Sequence, residues 1–336
     1  MNEIFPGIFC IEERGKFLGI RRPPENLYVI AGKDGLIFDG GYGDKKTVEY
    51  FVEHVKKIEE QYKIEGKEFN LTRILPSHPH GDHVGGLYLI KKYLGVKIVL
   101  TETMAKALKN KQMFDKMHEM DYFEDYLNVP TLKNRIKLWF IKKISRYLYR
   151  KVFGVHFIDE ADEIIEEESI LIINDEEWKV FPSPGHCFGH ISLYSENKGI
   201  LFSGDNVLKS ITTWLGPPDS NLDDYINSLQ QLLDLPNLNL ILPSHGSPIE
   251  APRERIKELL AHRRKRTEEI LRLVRNNSKN GVAASEIVKA LYPNGTSRIR
   301  NMARGYVCLT LKKLEQEGLI KRTLGKNEFK FMPNEI

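Results

Sequence analysis

Cysteine is nearly absent: Cys10, Cys187 and Cys308 are the only three in 336 residues, and they are far apart. That number excludes a disulfide framework and a thiolate metal site, so any metal must be held by nitrogen and oxygen. Long apolar runs are missing as well. No stretch approaches the roughly 20 consecutive apolar residues of a membrane span, and the opening Met1 to Phe9 lacks the basic region and apolar core of a signal peptide. The expectation is a cytoplasmic chain without integral membrane association.

The charge is unevenly spread. Residues 252 to 336 carry 20 Lys and Arg against 9 Asp and Glu, residues 109 to 158 carry 11 against 5, and a net charge of +4 leaves −13 for the remainder. An acidic body with two basic appendages can steer an anionic partner, although basic helices that merely face solvent would give the same count.

Short aliphatic runs alternate with helical segments up to residue 250, namely Leu27 to Ala31, Gly35 to Asp39, Leu71 to Pro76, Lys97 to Thr101, Ile170 to Ile173, Lys179 to Phe181, Ile191 to Tyr194, Ile200 to Ser203 and Leu238 to Pro243. This is an α/β pattern. Within it Ile74-Leu75-Pro76-Ser77-His78 recurs as Ile241-Leu242-Pro243-Ser244-His245, as if two half-units delivered a histidine to one place.

Two segments break the alternation. Residues 109 to 158 are rich in aromatic side chains, place Ile136, Phe140, Ile144 and Tyr147 on one helical face, and hold eight basic and no acidic residues between 131 and 153; they read as an inserted helical cap. A membrane-surface role for this basic amphipathic block is a further option. After His262 comes a long basic helix, about Arg263 to Arg275, then two more helices ending at Gly318 and a hairpin turning at Gly325-Lys326-Asn327, the outline of a winged helix. The expected units are therefore residues 1–262, with the cap at 109–158, and residues 263–336.

The chemistry concentrates where apolar strands run out. Ser77-His78-Pro79-His80-Gly81-Asp82-His83 puts four possible ligands in six positions directly after a strand. Alternating geometry lets His78 and His80 point one way, with Asp82 and His83 aimed at a neighbouring point, so two adjacent metals are the natural reading. His186, Asp205 and His245 each follow another strand beside a glycine, and strand ends in such architecture share an edge. His190 is expected either to support these ligands or touch substrate as a catalytic residue, or simply to be a satisfied core histidine. Cys187 reads as a small packed residue rather than a nucleophile or soft ligand.

The motif order His-x-His-x-Asp-His, Gly-His, Gly-Asp, Ser-His resembles the metallo-β-lactamase superfamily over residues 1 to about 250. That resemblance implies an αββα sandwich with its site at one edge. It further implies that His78, His80 and His186 hold one metal, that Asp82, His83 and His245 hold a second, that Asp205 bridges them, and that Asp39 supports the site from behind. A hydroxide bridging the two metals would be the nucleophile, and Asp82 would orient it or return a proton to the leaving group. Zinc is the first choice of metal, with iron, manganese or nickel as alternatives.

His262-Arg263, Arg266, Ile270-Leu271 and Leu309 to Gly318 resemble the tail of the β-lactamase-like protein 2 group, whose members include single-stranded RNA endonucleases and thioester hydrolases. An aromatic, cationic lid suits an acyl chain on an anionic carrier such as coenzyme A, and it suits nucleotide bases and phosphates too. The expected function is metal-dependent hydrolysis of an ester or thioester of a small acyl substrate. A ribonuclease and a ligand-sensing DNA-binding regulator are the alternatives.

Overall fold

Each apolar run singled out above overlaps a strand in the computed structural model of the chain, which describes residues 1–17, 20–117, 126–217 and 219–334. Seven strands form one sheet in the order Asn2–Phe5, Ile8–Glu13, Glu25–Ile30, Gly35–Phe38, Leu71–Leu75, Lys97–Thr101 and Glu163–Ile165. Five form the second: Ser169–Ile173, Glu176–Pro182, Ile191–Ser195, Ile200–Gly204 and Leu240–Pro243. Both sheets begin as antiparallel meanders and finish with parallel pairs.

Alternation along the strands divides the core. Ile200, Phe202, Leu193 and Leu242 face the other sheet, while Leu201, Tyr194 and Ile241 face the helix Leu222–Leu233. Both sets are buried, which is why these strands read as unbroken apolar runs. Phe202 is the hinge of the inter-sheet layer, with Tyr28, Phe38 and Trp178 at 5.0, 5.2 and 5.7 Å. The helix Lys45–Ile64 covers the outer side of the first sheet through Val48, Phe51, Val52, Val55 and Ile58, and Asp44 caps it by accepting from the Thr47 backbone N–H at 3.1 Å. The order is helix, sheet, sheet, helix, the expected αββα sandwich.

The two basic segments meet. In the insertion a helix runs from Leu132 to Phe153; part of the block, residues 118–125, lies outside the described residues. Asn128 pairs with Glu328, and Val129 donates to Asn327 O at 3.0 Å, so the approach to this helix adds to the hairpin of the tail. The tail itself has helices Ala284–Leu291 and Ser297–Gln316 and strands Val282–Ala283, Ile320–Thr323 and Lys330–Pro333. Its first helix starts earlier than the sequence suggests. It spans Pro252–Asn276 without a break, so the expected junction at 262 and 263 falls inside one helix. Proline at its first position sets the start, and Ile256 and Leu259 continue the buried stripe of Ile270 and Val274.

Candidate metal centre

The parallel pairs bring the carboxyl ends of Leu71–Leu75, Ile200–Gly204 and Leu240–Pro243 to one edge of the sandwich. Asp39 ties them together. It sits in the left-handed region at φ +69°, and its carboxylate accepts from the Ser77 backbone N–H at 2.7 Å and from Ser244 Oγ at 2.5 Å. The duplicated Pro-Ser-His runs thus hang from the two oxygens of one buried carboxylate. At Gly204, φ is +52° and an added Cβ would lie 2.4 Å from His190 Nε2, so only glycine lets the strand turn here.

Five imidazoles converge, and each has its outer nitrogen engaged. His78 Nδ1 meets Ser77 Oγ at 2.9 Å, His186 Nδ1 donates to Trp214 O at 2.9 Å, and His245 Nδ1 donates to Pro24 O at 2.6 Å. His83 Nδ1 lies 3.2 Å from Asp39 and 3.3 Å from Glu25, and His80 Nε2 donates to Asp219 Oδ2 at 2.9 Å. What remains is one inward nitrogen per ring: Nε2 of His78, His83, His186 and His245, and Nδ1 of His80.

These inward atoms form two sets. His80 Nδ1 is 3.0 Å from His78 Nε2 and 3.1 Å from His186 Nε2. Three nitrogens on a tetrahedral ion with bonds of about 2.0–2.1 Å would stand about 3.3 Å apart. The second set is Asp82, His83 and His245, with Asp82 oxygens 3.8 Å from His83 Nε2 and 3.9 Å from His245 Nε2. Asp205 lies between the sets, with Oδ2 3.5 Å from His186 Nε2 and Oδ1 3.5 Å from His245 Nε2. All seven residues named from the sequence are therefore brought together.

The donor set fits cations. Burial and the neighbouring imidazoles hold His78 and His186 neutral, His186 falling to about 4. At His83 burial acts downward, but Asp39 and Asp82 outweigh it and raise the group to about 9, so this ring carries a positive charge that a bound cation would replace on taking the place of its Nε2 proton. Glu25 is pushed well above the carboxylate range by burial and by the charges of Asp39, Asp82 and Asp205. His83 Nε2, Asp205 Oδ1 and both Glu25 oxygens are buried with no hydrogen-bond partner among the described residues. Lone pairs facing lone pairs and carboxylates facing carboxylates are relieved together by positive ions at the centre.

The family model described as Metallo-beta-lactamase superfamily matches residues 20–245. The chain belongs to the metallo-β-lactamase superfamily. Its tail matches the Beta-lactamase associated winged helix domain over residues 283–326. The chain is 27% identical over 297 residues to the Beta-lactamase-like protein 2 homolog of Caenorhabditis elegans, covering 88% of this chain and 80% of that protein. It is 25% identical over 252 residues to the acyl-coenzyme A thioesterase MBLAC2 of Homo sapiens, covering 74% and 81%. Among solved structures, a metallo-beta-lactamase family protein from Thermus thermophilus superposes with a TM-score of 0.71 at 22% identity, over 99% of this chain and 100% of the other. A beta-lactamase domain protein from Burkholderia ambifaria gives 0.72 at 21%, over 99% and 93%. The metallo-β-lactamase fold is thus common to all three.

Other residues lie behind the metallo-β-lactamase edge. His190 is buried under Asp205, with Nδ1 2.9 Å from Ser183 Oγ and Nε2 accepting from the Asp205 backbone N–H at 3.2 Å; it faces the ligand loop and not the opening. Cys187 is fully buried beside His78, His80 and His186, and burial drives its thiol well up, so it is packed and protonated. Two carboxylates escaped the sequence reading. Glu25 lies 3.1 Å from His245 Nδ1, and its only signal was an acid directly before an apolar strand. Asp219 sits in a Gly-Pro-Pro-Asp-Ser-Asn loop that reads as a helix start. Arg263 of the long helix, singled out in the sequence only for its resemblance, is buried and donates to Thr213 O at 2.7 Å, while Thr213 Oγ1 lies 3.1 Å from His186 Nδ1.

Proposed function

We propose that this metallo-β-lactamase superfamily hydrolase is a dinuclear thioesterase or esterase acting on a small anionic acyl substrate, with an acyl-coenzyme A as first choice. The observation that carries the reading is the set of five imidazoles, each with its outer nitrogen engaged and its inner nitrogen turned to a common centre. His78, His80 and His186 would hold one ion, Asp82, His83 and His245 the other, and Asp205 both. Two divalent cations, zinc before iron or manganese, would when bound polarise the scissile carbonyl and supply a nucleophilic water at neutral pH.

The chain's own part is orientation and proton handling. Asp82, with one carboxylate oxygen towards each second-ion histidine, would accept the proton that the nucleophilic water gives up and return it to the leaving sulfur or oxygen. His190 would position Asp205 by accepting from its backbone N–H. Tyr149 and Phe153 pack at the His80–Gly81 turn and Trp214 stands beside His186, so these aromatic side chains would be the ones to meet an acyl group at the edge. A relative named as an acyl-coenzyme A thioesterase supports this substrate class.

The ribonuclease and DNA-regulator readings need free cations on the tail, and many are engaged. Arg263 is buried, Arg304 pairs with Glu328 at 2.6 Å, Lys313 with Asp223 at 2.5 Å, and Arg322 donates to Tyr126 O at 3.0 Å. Acyl-coenzyme A esters of varied chain length should release thiol, and dialysis against a chelator or Asp205→Ala should lower kcat/KM at least about a hundredfold. Turnover of single-stranded RNA with no thioester cleaved by the metal-loaded enzyme would overturn the proposal.

A further inference from the structure

The helix Leu132–Phe153 has a face for which hydrolysis finds no use. Leu132, Ile136, Trp139, Phe140, Ile144 and Tyr147 are 76, 52, 57, 55, 57 and 56% exposed. At 100° per residue these six fall within an arc of about 140° along about 24 Å of helix. Single exposed hydrophobics are ordinary, but six large ones in one stripe mark an interaction surface.

The sequence and the fold select the partner. Residues 131–153 hold eight Lys and Arg and no acid, so two copies laid face to face would set like charge against like charge, even with Arg150 of each paired to Asp115. A nucleic acid would match the charge and could stack bases on Trp139, Phe140 and Tyr147, but it would leave Leu132, Ile136 and Ile144 in water, whereas a lipid interface takes up all six. Basic residues with interleaved aliphatic and aromatic side chains are the composition of a helix lying in a lipid interface, its charge matched to anionic headgroups.

The other end of the helix is fixed to the body. The Gly81 backbone N–H donates to Tyr149 Oη at 3.0 Å, Gly43 donates to Phe153 O at 2.8 Å, and Phe153 stacks on Tyr42 at 5.8 Å. An added Cβ on Gly81 would lie 2.6 Å from Phe153 Cβ. Gly81 directly follows His80, so the exposed stripe and the metal edge are joined by a single rigid element.

We infer that this helix docks flat on an anionic membrane leaflet, with the six apolar side chains in the headgroup boundary, and holds the metal edge beside the bilayer. The inference stands whether or not acyl thioesters are the substrate. The full chain is mixed with vesicles of phosphatidylcholine alone or with added phosphatidylserine, and sedimentation and tryptophan emission are read. Trp178 is buried and Trp214 half-buried, so a blue shift reports Trp139 entering the interface.

Mixed vesicles should bind at least about tenfold better than neutral ones, with loss at high salt. Ile136→Glu with Phe140→Glu should abolish sedimentation while the melting curve persists, and Arg135→Glu with Lys151→Glu should weaken it severalfold. Absence of sedimentation, equal binding to neutral vesicles, binding that survives both pairs of substitutions, or a shift elicited by single-stranded RNA and not by vesicles would overturn it. Should either variant fail to fold, the wild-type emission with the two vesicle types decides alone.

Discussion

Glu25 joins the two histidines of the second ion set from behind, 3.3 Å from His83 Nδ1 and 3.1 Å from His245 Nδ1. Replacing its carboxyl by an amide should therefore loosen one site and spare the other. Glu25→Gln is expected to keep one tightly held metal per chain and weaken the second about 10- to 100-fold, read by metal analysis after graded chelation. Arg263 reaches the first set through Thr213 and lies 5.2 and 4.9 Å from the rings of Tyr225 and Tyr306. Arg263→Met should cost about 2 kcal/mol in denaturant unfolding, because Thr213 O would lose its buried donor. The contrast with the seven sequence-named residues is physical. Histidines clustered at strand ends are conspicuous because imidazole is rare and chemically costly to bury, whereas Glu25 and Asp219 belong to a common residue class and gain meaning only from what stands opposite them in space.

Asp162 locks the helix Leu87–Leu94 to the strand Lys97–Thr101, accepting from Lys91 Nζ at 2.6 Å and from the Ile98 N–H at 2.8 Å. Burial raises this carboxyl, but Lys91 and the Ile98 amide outweigh it and hold it below the ordinary value of 3.8. A carboxyl lowered by folding stabilises above its unfolded pKa and loses that contribution as the pH falls through the folded one. Asp162→Asn should thus cost about 1 kcal/mol at neutral pH, and its midpoint should approach that of the wild type only in acid below pH about 4. At this scale most strands were legible, since burial on both faces turns them into aliphatic runs. The strands Asn2–Phe5 and Ile8–Glu13 were not, because the first is largely exposed and the second mixes Cys10, Glu12 and Glu13 into its pattern. Glu13 defeats the pattern most, being fully buried where it accepts from the Tyr42 amide at 3.0 Å. The early start of the helix at Pro252 was hidden by the charged turns around Ile256 and Leu259.

Across the whole molecule the second core carries side chains of both units: Leu201, Ile241 and Leu229 of the sandwich pack with Val307, Leu311 and Ile287 of the tail. Gly305 of the helix Ser297–Gln316 lies so close to Gly216 that an added Cβ would sit 3.1 Å from Gly216 Cα. The chain is expected to unfold in one calorimetric transition, with the van't Hoff enthalpy equal to the measured one; two separable transitions would contradict a shared core. The unbroken helix Pro252–Asn276 also bears on cleavage. Arg263-Arg264-Lys265-Arg266 is as attractive a string for trypsin as any in the chain, yet a protease needs slack, extended backbone, and here it meets a helix clamped by its own Arg263. Brief digestion should release no peptide ending at these four positions, and the string should become a cutting site only in denaturant.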